Sequence, residues 1–425
     1  MLCYNRSAFP NPEHPLPDFF AFAGLRYDSD AAGADLEALV APPYDVIDED
    51  QRAALESQAT YNAVRLLLPR DERRDGDRYA RAADALAAWE RAGVLVADPA
   101  PRLYSYRMQF RDLRGNPRHT RGVIGALALP EPGDTSVLPH ERTMPKAKSD
   151  RLALLRATRA NVDPIWGLSL AEGLTGRLEP ETALGRCVDA DGVVHELGAI
   201  DDPARLDEIR TLVGGEHLVL ADGHHRFETA CTYRDERRAA GEPVDGAGAI
   251  MMLVVELAED ELDIEPIHRL VDLPAGIDFR ARLADAFDLV DMGAYSAEAV
   301  GTVQARMAAD HGLGLVDRGG FAIAIARPEL RASALAGEHP AVAATDAAVV
   351  EALVSPRLPE AAWRYWHDAD AVAALVDKGA ATAAILCSAV SVAQTRAAAV
   401  DRARMPQKTT FFTPKPRSGM VFRKF

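Results

Sequence analysis

The stretch EHLVLADGHHRFETACTYR, residues 216–234, predicts a strand, a tight turn and a helix in immediate succession. The run Leu218–Leu220 is apolar, Asp222-Gly223 is a turn dipeptide, and a helical pattern begins near His224. A helix that starts directly after a glycine turn presents free backbone N–H groups, which favour a bound anion. This stretch therefore favours an α/β (α+β) fold with mixed sheets and predicts an anion site at the turn.

The five residues of the turn carry most of the ionisable chemistry of this stretch. Asp222 ends a strand, where a carboxylate can bind Mg²⁺ or take a proton from a hydroxyl. Gly223 lets the backbone approach a phosphate closely, and His224, His225 and Arg226 supply donors for phosphate oxygens. The alternative is an ordinary helix start with Asp222 as the N-cap and both histidines partly exposed. Because ionisable groups cluster at functional sites, we favour the functional interpretation.

A second charged segment lies between residues 138 and 151. It combines an imidazole, an acid and three cations, namely His140, Glu141, Lys146, Lys148 and Arg151. A general base beside cations that neutralise phosphate is what phosphoryl transfer requires, and Glu141 would be that base. The alternative is a solvated loop leading into a helix, and the sequence leaves both open. Tyr44-Asp45, after two prolines, is a weaker candidate that also reads as a rigid turn.

Composition sets broad limits on the class of protein. The chain has 425 residues, which suits two or three domains, and a net charge of −16 that argues against a general nucleic-acid coat. Four scattered cysteines form neither a zinc pattern nor a disulfide framework. The sequence shows no membrane span and no signal peptide, so a cytoplasmic location is expected.

Apolar spacing and turn residues predict most of the regular elements. The predicted elements are helices over about 48–57, 79–92, 149–158 and 202–213, and strands over about 62–68, 102–110, 121–129, 193–197 and 249–256. Residues 275–405 form an alanine-rich second lobe, and the segment after Met405 is basic and aromatic. By composition alone that last segment is either a disordered tail or a folded part of the protein.

Five motifs in order resemble a widespread prokaryotic family with a domain of unknown function. The motifs are APPYDVI at 41–47, YNAVRL at 61–66, LPHERT at 138–143, ADGHHRFETA at 221–230 and MPQKTTFF at 405–412. The Asp-Gly-His-His-Arg box also resembles the phosphate-binding box of ParB and sulfiredoxin-like proteins, which include the free serine kinases. The resemblance implies a ParB-like core with large insertions over 1–270, a second lobe over 271–404, and a segment over 405–425 that returns Lys408 to the site.

The same resemblance implies a phosphotransfer enzyme that uses ATP or ADP and Mg²⁺. Its substrate would be free serine or phosphoserine, as in a serine kinase or a phosphoserine phosphatase. Phosphate would bind Gly223, His224, His225 and Arg226, assisted by His140, Lys146, Lys148, Arg151 and Lys408. The base would be Glu141 or Asp45, and Asp222 would be the metal ligand.

Two alternatives remain open, a ParB-like nucleotide-dependent regulatory protein and a metal-dependent phosphohydrolase of another small phosphate ester. Membrane partners are not expected, nucleic acid is disfavoured by the net charge, and a homodimer is left open.

Overall fold

The computed structural model describes residues 16–71, 77–139, 141 and 148–425, with Lys148 and Ser149 described by backbone alone. Among the predicted site residues, His140 and Lys146 therefore lie outside the described residues. Within these ranges, no helix is both long enough and apolar enough to cross a bilayer.

Strands and helices are interspersed along the described chain, as the α/β (α+β) prediction requires. The strands in the described residues are β1 (Phe19–Phe20), β2 (Leu25–Tyr27), β3 (Leu95–Ala97), β4 (Leu103–Arg111), β5 (Pro117–Ala128), β6 (Val137–Pro139), β7 (Ala160–Asn161), β8 (Ile165–Ser169), β9 (Thr182–Val188), β10 (Val194–Ile200), β11 (Leu218–Asp222), β12 (Ala249–Glu256), β13 (Asp263–Glu265), β14 (His268–Asp272), β15 (Phe287–Gly293), β16 (Leu313–Asp317), β17 (Gly320–Ala326), β18 (Ala362–Trp366), β19 (Ala383–Leu386), β20 (Phe411–Thr413) and β21 (Arg423–Lys424).

The helices in the same ranges are α1 (Ser29–Ala32), α2 (Leu36–Leu39), α3 (Glu49–Gln58), α4 (Val64–Leu67), α5 (Arg78–Arg91), α6 (Lys148–Thr158), α7 (Pro203–Val213), α8 (His224–Ala239), α9 (Phe279–Leu283), α10 (Ala299–Asp310), α11 (Pro328–Ala334), α12 (Pro340–Ala343), α13 (Asp346–Val349), α14 (Ala369–Asp377) and α15 (Val392–Val400). Short 3₁₀ turns cover Tyr44–Val46, Thr175–Arg177 and Ser355–Arg357, and a π-helical turn covers Val350–Val354.

The described chain forms two compact units. The first contains the described residues up to 139, those from 148 to 263, and residues 414–425, whereas the second contains Glu141 and residues 264–413. The sequence-based bounds were 1–270, 271–404 and 405–425. In the structure the second unit begins after residue 263, and the segment 405–425 is shared, with residues up to 413 in the second unit and residues 414–425 in the first.

The first unit is organised by one mixed sheet. Within the described residues it has nine strands in the order β6-β11-β8-β12-β5-β4-β10-β9, with β1 also paired to β5. β11 runs parallel to β6, and β12 runs parallel to β8, while the other pairs are antiparallel. Helices α6 and α8 pack against each other, and α8 also contacts β8 and β12. The predicted α/β fold with mixed sheets is therefore confirmed.

The predicted strand over residues 62–68 is wrong, because the segment Val64–Leu67 is the short helix α4. Asn62 is fully buried, and its side-chain amide donates to the carbonyls of Ala38 and Val40 while its carbonyl oxygen accepts from the N–H of Val64. These bonds turn the chain at Asn62. A short apolar run is ambiguous between a buried strand and a buried helical turn, so periodicity could not decide this case.

The C-terminal segment 414–425 is a folded part of the first unit. Ser418 exchanges backbone hydrogen bonds with Ala41, at 2.8 and 3.0 Å, and Phe422 does the same with Leu25, at 2.9 Å each. The side chain of Phe422 is fully buried in the core. The alternative of a disordered tail is therefore wrong for these residues.

The second unit is built on an antiparallel sheet with the strand order β15-β17-β16-β19-β14-β18. Its β14 carries His268, whose side chain is 1% exposed. Nδ1 of His268 accepts the backbone N–H of Cys387 at 3.1 Å, and Nε2 has no hydrogen-bond partner among the described residues. Burial, followed by the neighbouring charge of Arg269, lowers the pKa of His268 from 6.5 to about 4. His268 is thus a neutral core histidine.

We expect His268 to make the protein less stable in mild acid. The unfolded chain takes up a proton near pH 6.5 that the folded chain accepts only near pH 4. The free energy of unfolding should fall by about 3 kcal/mol across that window, since one pKa unit is about 1.4 kcal/mol. His268→Asn keeps an acceptor for Cys387 but does not titrate. Urea unfolding of both proteins at several pH values checks this, and parallel pH profiles would contradict it.

Candidate functional site

Strand β11 and helix α8 meet at Gly223 as the sequence predicts. Gly223 has a φ of +84°, and a Cβ at this position would lie 2.7 Å from Cγ2 of Ile165 and 3.1 Å from Nε of Arg226. Both the backbone conformation and the close packing therefore require glycine. Gly223 is also the N-cap of α8 and supplies no side-chain cap. The alternative in which Asp222 caps the helix is wrong.

The start of α8 offers N–H groups to a ligand. The helix has 16 residues, and its N-cap residue, Gly223, has no side chain with which to cap the first turn. His224 and His225 occupy the first two helical positions and are half-buried. The N-terminus of a long helix carries a partial positive charge that suits a phosphate. The geometry is therefore compatible with the predicted phosphate site.

Arg226 holds two carboxylates together beside this helix start. Its guanidinium donates to Asp163 and to the carbonyl oxygen of Pro164, and Nη2 donates to Oδ2 of Asp222 at 2.9 Å. The side chains of Arg226 and Asp163 are each only 9% exposed. Arg226 therefore acts as a positioning group, and its guanidinium is largely occupied by protein partners.

Lys415 reaches Asp222 from the C-terminal segment of the same unit. Its Nζ lies 2.9 Å from Oδ1 of Asp222, so each oxygen of this carboxylate contacts a cation. Although burial alone would raise it, the charges of Lys415 and Arg226 lower the pKa of Asp222 to about 2. Burial raises the pKa of Asp163. Asp222 is thus firmly ionised.

Tyr44 and Asp45 join this cluster from a distant part of the sequence. The ring of Tyr44 lies 4.4 Å from Cζ of Arg151 and 5.8 Å from Cζ of Arg226. Asp45 is exposed. Burial raises the pKa of Asp163, and the charge of Asp45 adds to that rise while the charge of Arg226 opposes it. Burial lowers the pKa of Arg226, but the charges of Asp163, Asp222 and Asp45 raise it. The weaker candidate Tyr44-Asp45 and the box therefore lie together in the first unit.

Arg151 also belongs to the first unit, but its guanidinium is used structurally. Nε and Nη2 donate to Oδ2 of Asp150, at 2.8 and 2.5 Å, and Nη1 donates to the carbonyl oxygen of Leu67 at 2.8 Å. The residue is 7% exposed. Its contact with Tyr44 makes it a support for the cluster.

Glu141 and Lys408 lie in the second unit. The carboxylate of Glu141 accepts the backbone N–H groups of Lys408, Thr409 and Thr410, at 3.0, 3.1 and 2.8 Å, and the hydroxyl of Thr410 at 2.8 Å. Four donors occupy lone pairs that a general base would need for an incoming proton. Of the two proposed bases, Asp45 is exposed and lies in the same unit as the box.

The remaining predicted phosphate ligands lie outside what the structure describes. His140 and Lys146 are not among the described residues, and Lys148 is described only as the first residue of the α6 backbone. Their proposed contacts with phosphate stay predictions.

The described residues do not fit a resident Mg²⁺ site. Among them, no group of three or more His, Cys, Asp or Glu side chains is arranged to hold a metal ion. Asp222, the predicted ligand, already contacts two cations, and a metal would bring further positive charge to the same oxygens. The assignment of Mg²⁺ to Asp222 stays a prediction.

Sequence reasoning missed Lys415, and local pattern left the role of Asp163 open. Lys415 stands between Pro414 and Pro416, and these prolines favour an extended backbone and disfavour a helix. A lysine in such a rigid, basic segment was the sequence feature that could have indicated Lys415 as a site residue. Asp163 precedes Pro164 at the start of β8, and its partner Arg226 is 63 residues away, so local pattern could not pair them.

The comparisons with known proteins place the chain in a family. A search of curated proteins finds no match. A conserved hypothetical protein from Pyrococcus furiosus aligns with 11% identity over 65% of this chain and 87% of that chain, with a TM-score of 0.34. A free serine kinase in complex with ADP aligns with 11% identity over 65% and 84%, with a TM-score of 0.35.

SbnI with a C-terminal truncation, from Staphylococcus aureus, aligns with 10% identity over 69% of this chain and 85% of that chain, with a TM-score of 0.35. Structural likenesses at these TM-scores carry no further conclusion about this chain. The family model described as "Protein of unknown function (DUF1015)" matches residues 19–353. That range is more than half of the sequence, and the chain therefore belongs to the DUF1015 family.

Proposed function

We propose that this protein is a phosphotransfer enzyme acting on free serine or phosphoserine with ATP or ADP, and that the reaction takes place at the Asp222–Arg226 box. One observation carries the proposal. Lys415, from the C-terminal segment, and Arg226, from the start of α8, each contact one oxygen of Asp222, and the charge of the exposed Asp45 acts on Arg226 in the same unit. A cation, an exposed carboxylate and a helix N-terminus are groups that phosphoryl transfer can use.

The roles follow from the contacts. The first N–H groups of α8 bind the phosphoryl oxygens, and Lys415 adds a point charge beside them. Arg226 fixes Asp222 and Asp163 in place through its ion pairs. Asp45 takes the proton from the serine hydroxyl, because it is exposed and its charge reaches this cluster.

A direct assay tests the proposal. The full chain is incubated with serine plus ATP or ADP, and separately with phosphoserine plus ADP or alone, and the products are separated and quantified. Formation of phosphoserine, or of serine and phosphorylated nucleotide, supports the proposal. Release of phosphate from phosphoserine alone identifies the phosphatase direction. No turnover in any of these mixtures overturns the proposal.

Variants of two lysines in the C-terminal segment test the role of Lys415. Lys415→Met should weaken nucleotide binding about 10-fold or more, because one charge-assisted contact to phosphate is worth roughly 1.5–3 kcal/mol. Lys424→Met is the control, since Lys424 lies in the same segment, is 44% exposed and pairs with Glu90. Nucleotide titration followed by thermal shift measures both. Equal affinities for the two variants would remove Lys415 from the site.

A further inference from the structure

The second unit holds a concave set of backbone amides around the carboxylate of Glu141. Three consecutive N–H groups, from Lys408 to Thr410, point at this one carboxylate, and the Thr410 hydroxyl adds a fourth donor. Lys408 has a φ of +58°, which is rare for a residue with a side chain and turns successive amides toward one point. Such an arrangement of amides is a nest, and nests bind anions.

The surroundings of this nest are buried and positive. Thr409 is 3% exposed and Thr410 is 9% exposed. Arg269, itself 4% exposed, donates from Nη2 to the carbonyl oxygen of Lys408 at 2.9 Å. Its other hydrogen bonds go to the carbonyl of Ile267 and to Sγ of Cys387.

In the described part of the chain, no carboxylate forms an ion pair with Arg269. A buried guanidinium one hydrogen bond from the nest favours negative charge there, since a buried cation is normally compensated by an anion nearby.

We propose that residues 408–410 form an oxyanion-binding site in which Glu141 is a built-in ligand. The site takes the carboxylate or the phosphoryl group of a small molecule, and the ligand competes with Glu141 for the same four donors. The donors match either oxyanion, because amides in a nest and a hydroxyl bind carboxylate and phosphate oxygens alike. The oxyanion site does not depend on the phosphotransfer proposed for the Asp222–Arg226 box.

Competition by a tethered group predicts how the site responds to mutation. A group held on the same chain acts at an effective concentration that reaches about the millimolar range. In the wild type a free anion must displace the carboxylate of Glu141, whereas in Glu141→Ala that carboxylate is removed from the four donors. We therefore expect formate, acetate or inorganic phosphate to bind Glu141→Ala at least about 10-fold more tightly than wild type.

The experiment titrates formate, acetate and inorganic phosphate separately into the full-length wild type, Glu141→Ala and Glu141→Gln, at constant ionic strength set with chloride. Binding is followed by calorimetry and by the midpoint of thermal unfolding. Glu141→Gln is the matched control, because its side chain fills the nest and leaves no room for an added anion. Saturable binding that is at least about 10-fold tighter to Glu141→Ala than to wild type, with none to Glu141→Gln, supports the proposal, and the anion that binds more tightly identifies the preferred class.

Two results would overturn the proposal. One is an equal response of all three proteins, which would reveal a general salt effect. The other is a Glu141→Ala protein that binds none of the anions.

If Glu141→Ala does not fold in chloride, refolding in formate at the same ionic strength provides the second measurement. Recovery in formate supports the site, and failure in both salts overturns it. Arg269→Gln combined with Glu141→Ala should reduce anion affinity at least several-fold, and an unchanged affinity would contradict the role given to the guanidinium.

Discussion

Replacing Arg226 with methionine is expected to destabilise the protein by about 3–5 kcal/mol, because it leaves buried carboxylates without their cation. Asp163 is only 9% exposed and loses its ion pair, and Asp222 keeps Lys415 alone. Methionine retains much of the volume of the arginine stem, so the lost stability reflects the missing charge rather than a new cavity. Urea unfolding followed by circular dichroism measures the change in the free energy of unfolding.

A surface arginine supplies the control for this prediction. Arg156 is 50% exposed and pairs with Glu236 between α6 and α8, so Arg156→Met should cost less than about 1 kcal/mol. A second test adds Asp163→Asn to Arg226→Met, which removes the uncompensated charge and should recover part of the lost stability. Equal losses for Arg226→Met and Arg156→Met, without recovery in the double variant, would contradict the role of the network.

Replacing Asp45 with asparagine is expected to lower turnover by about 10²–10⁴-fold, the range associated with loss of a general base. The substitution keeps the size and a hydrogen-bonding oxygen of the side chain but cannot accept the proton at neutral pH. Nucleotide affinity should stay within a few-fold of wild type, because Asp45 is assigned to the hydroxyl and not to phosphate. Turnover under saturating nucleotide, with a parallel thermal-shift titration, measures both quantities.

Asp50→Asn is the matched control for Asp45→Asn. Asp50 is an exposed aspartate in the first turn of α3, five residues along the same segment, and it has no place in the proposed reaction. Its variant should keep wild-type turnover. Full activity in Asp45→Asn, together with strong loss in Glu141→Gln, would instead assign the base to the other carboxylate that the sequence allowed.

Local pattern was sufficient where neighbouring residues set the structure. The apolar run before Asp222, the glycine at 223 and the helical sequence after it predicted β11, the turn and α8. Asp48 similarly predicted the start of α3, where its side chain and that of Gln51 form a capping box. The turn and the two helices are defined by hydrogen bonds within a few residues of one another, so residue type and spacing predict them. β11 pairs with the distant strands β6 and β8, and its prediction rests on its own apolar run.

Contacts between distant parts of the chain bring the site residues together, and the spacing of residues in the sequence does not predict such contacts. The ion pair of Lys415 with Asp222 spans 193 residues, and that of Arg226 with Asp163 spans 63. Glu141 illustrates the same limit, because its donors lie 267 to 269 residues along the chain. The type of this residue suggested a base, but the number of its hydrogen bonds decides against that role. The two prolines before Tyr44-Asp45 marked Asp45 only as a weaker candidate, and the effect of its charge on Arg226 and Asp163 is a long-range property that spacing does not predict.

Residues 414–425 belong to the first unit but are synthesised after the second unit. Synthesis runs from the N-terminus, and domains generally fold as they emerge. Here residues 264–413 must be translated before Phe422, whose backbone pairs with that of Leu25, exists. The growing polypeptide therefore carries an incomplete first unit while the second unit is synthesised, and Asp222 receives its lysine only after that second unit has been translated. Premature termination anywhere before residue 415 yields a product without that cation, however much of the sheet it contains.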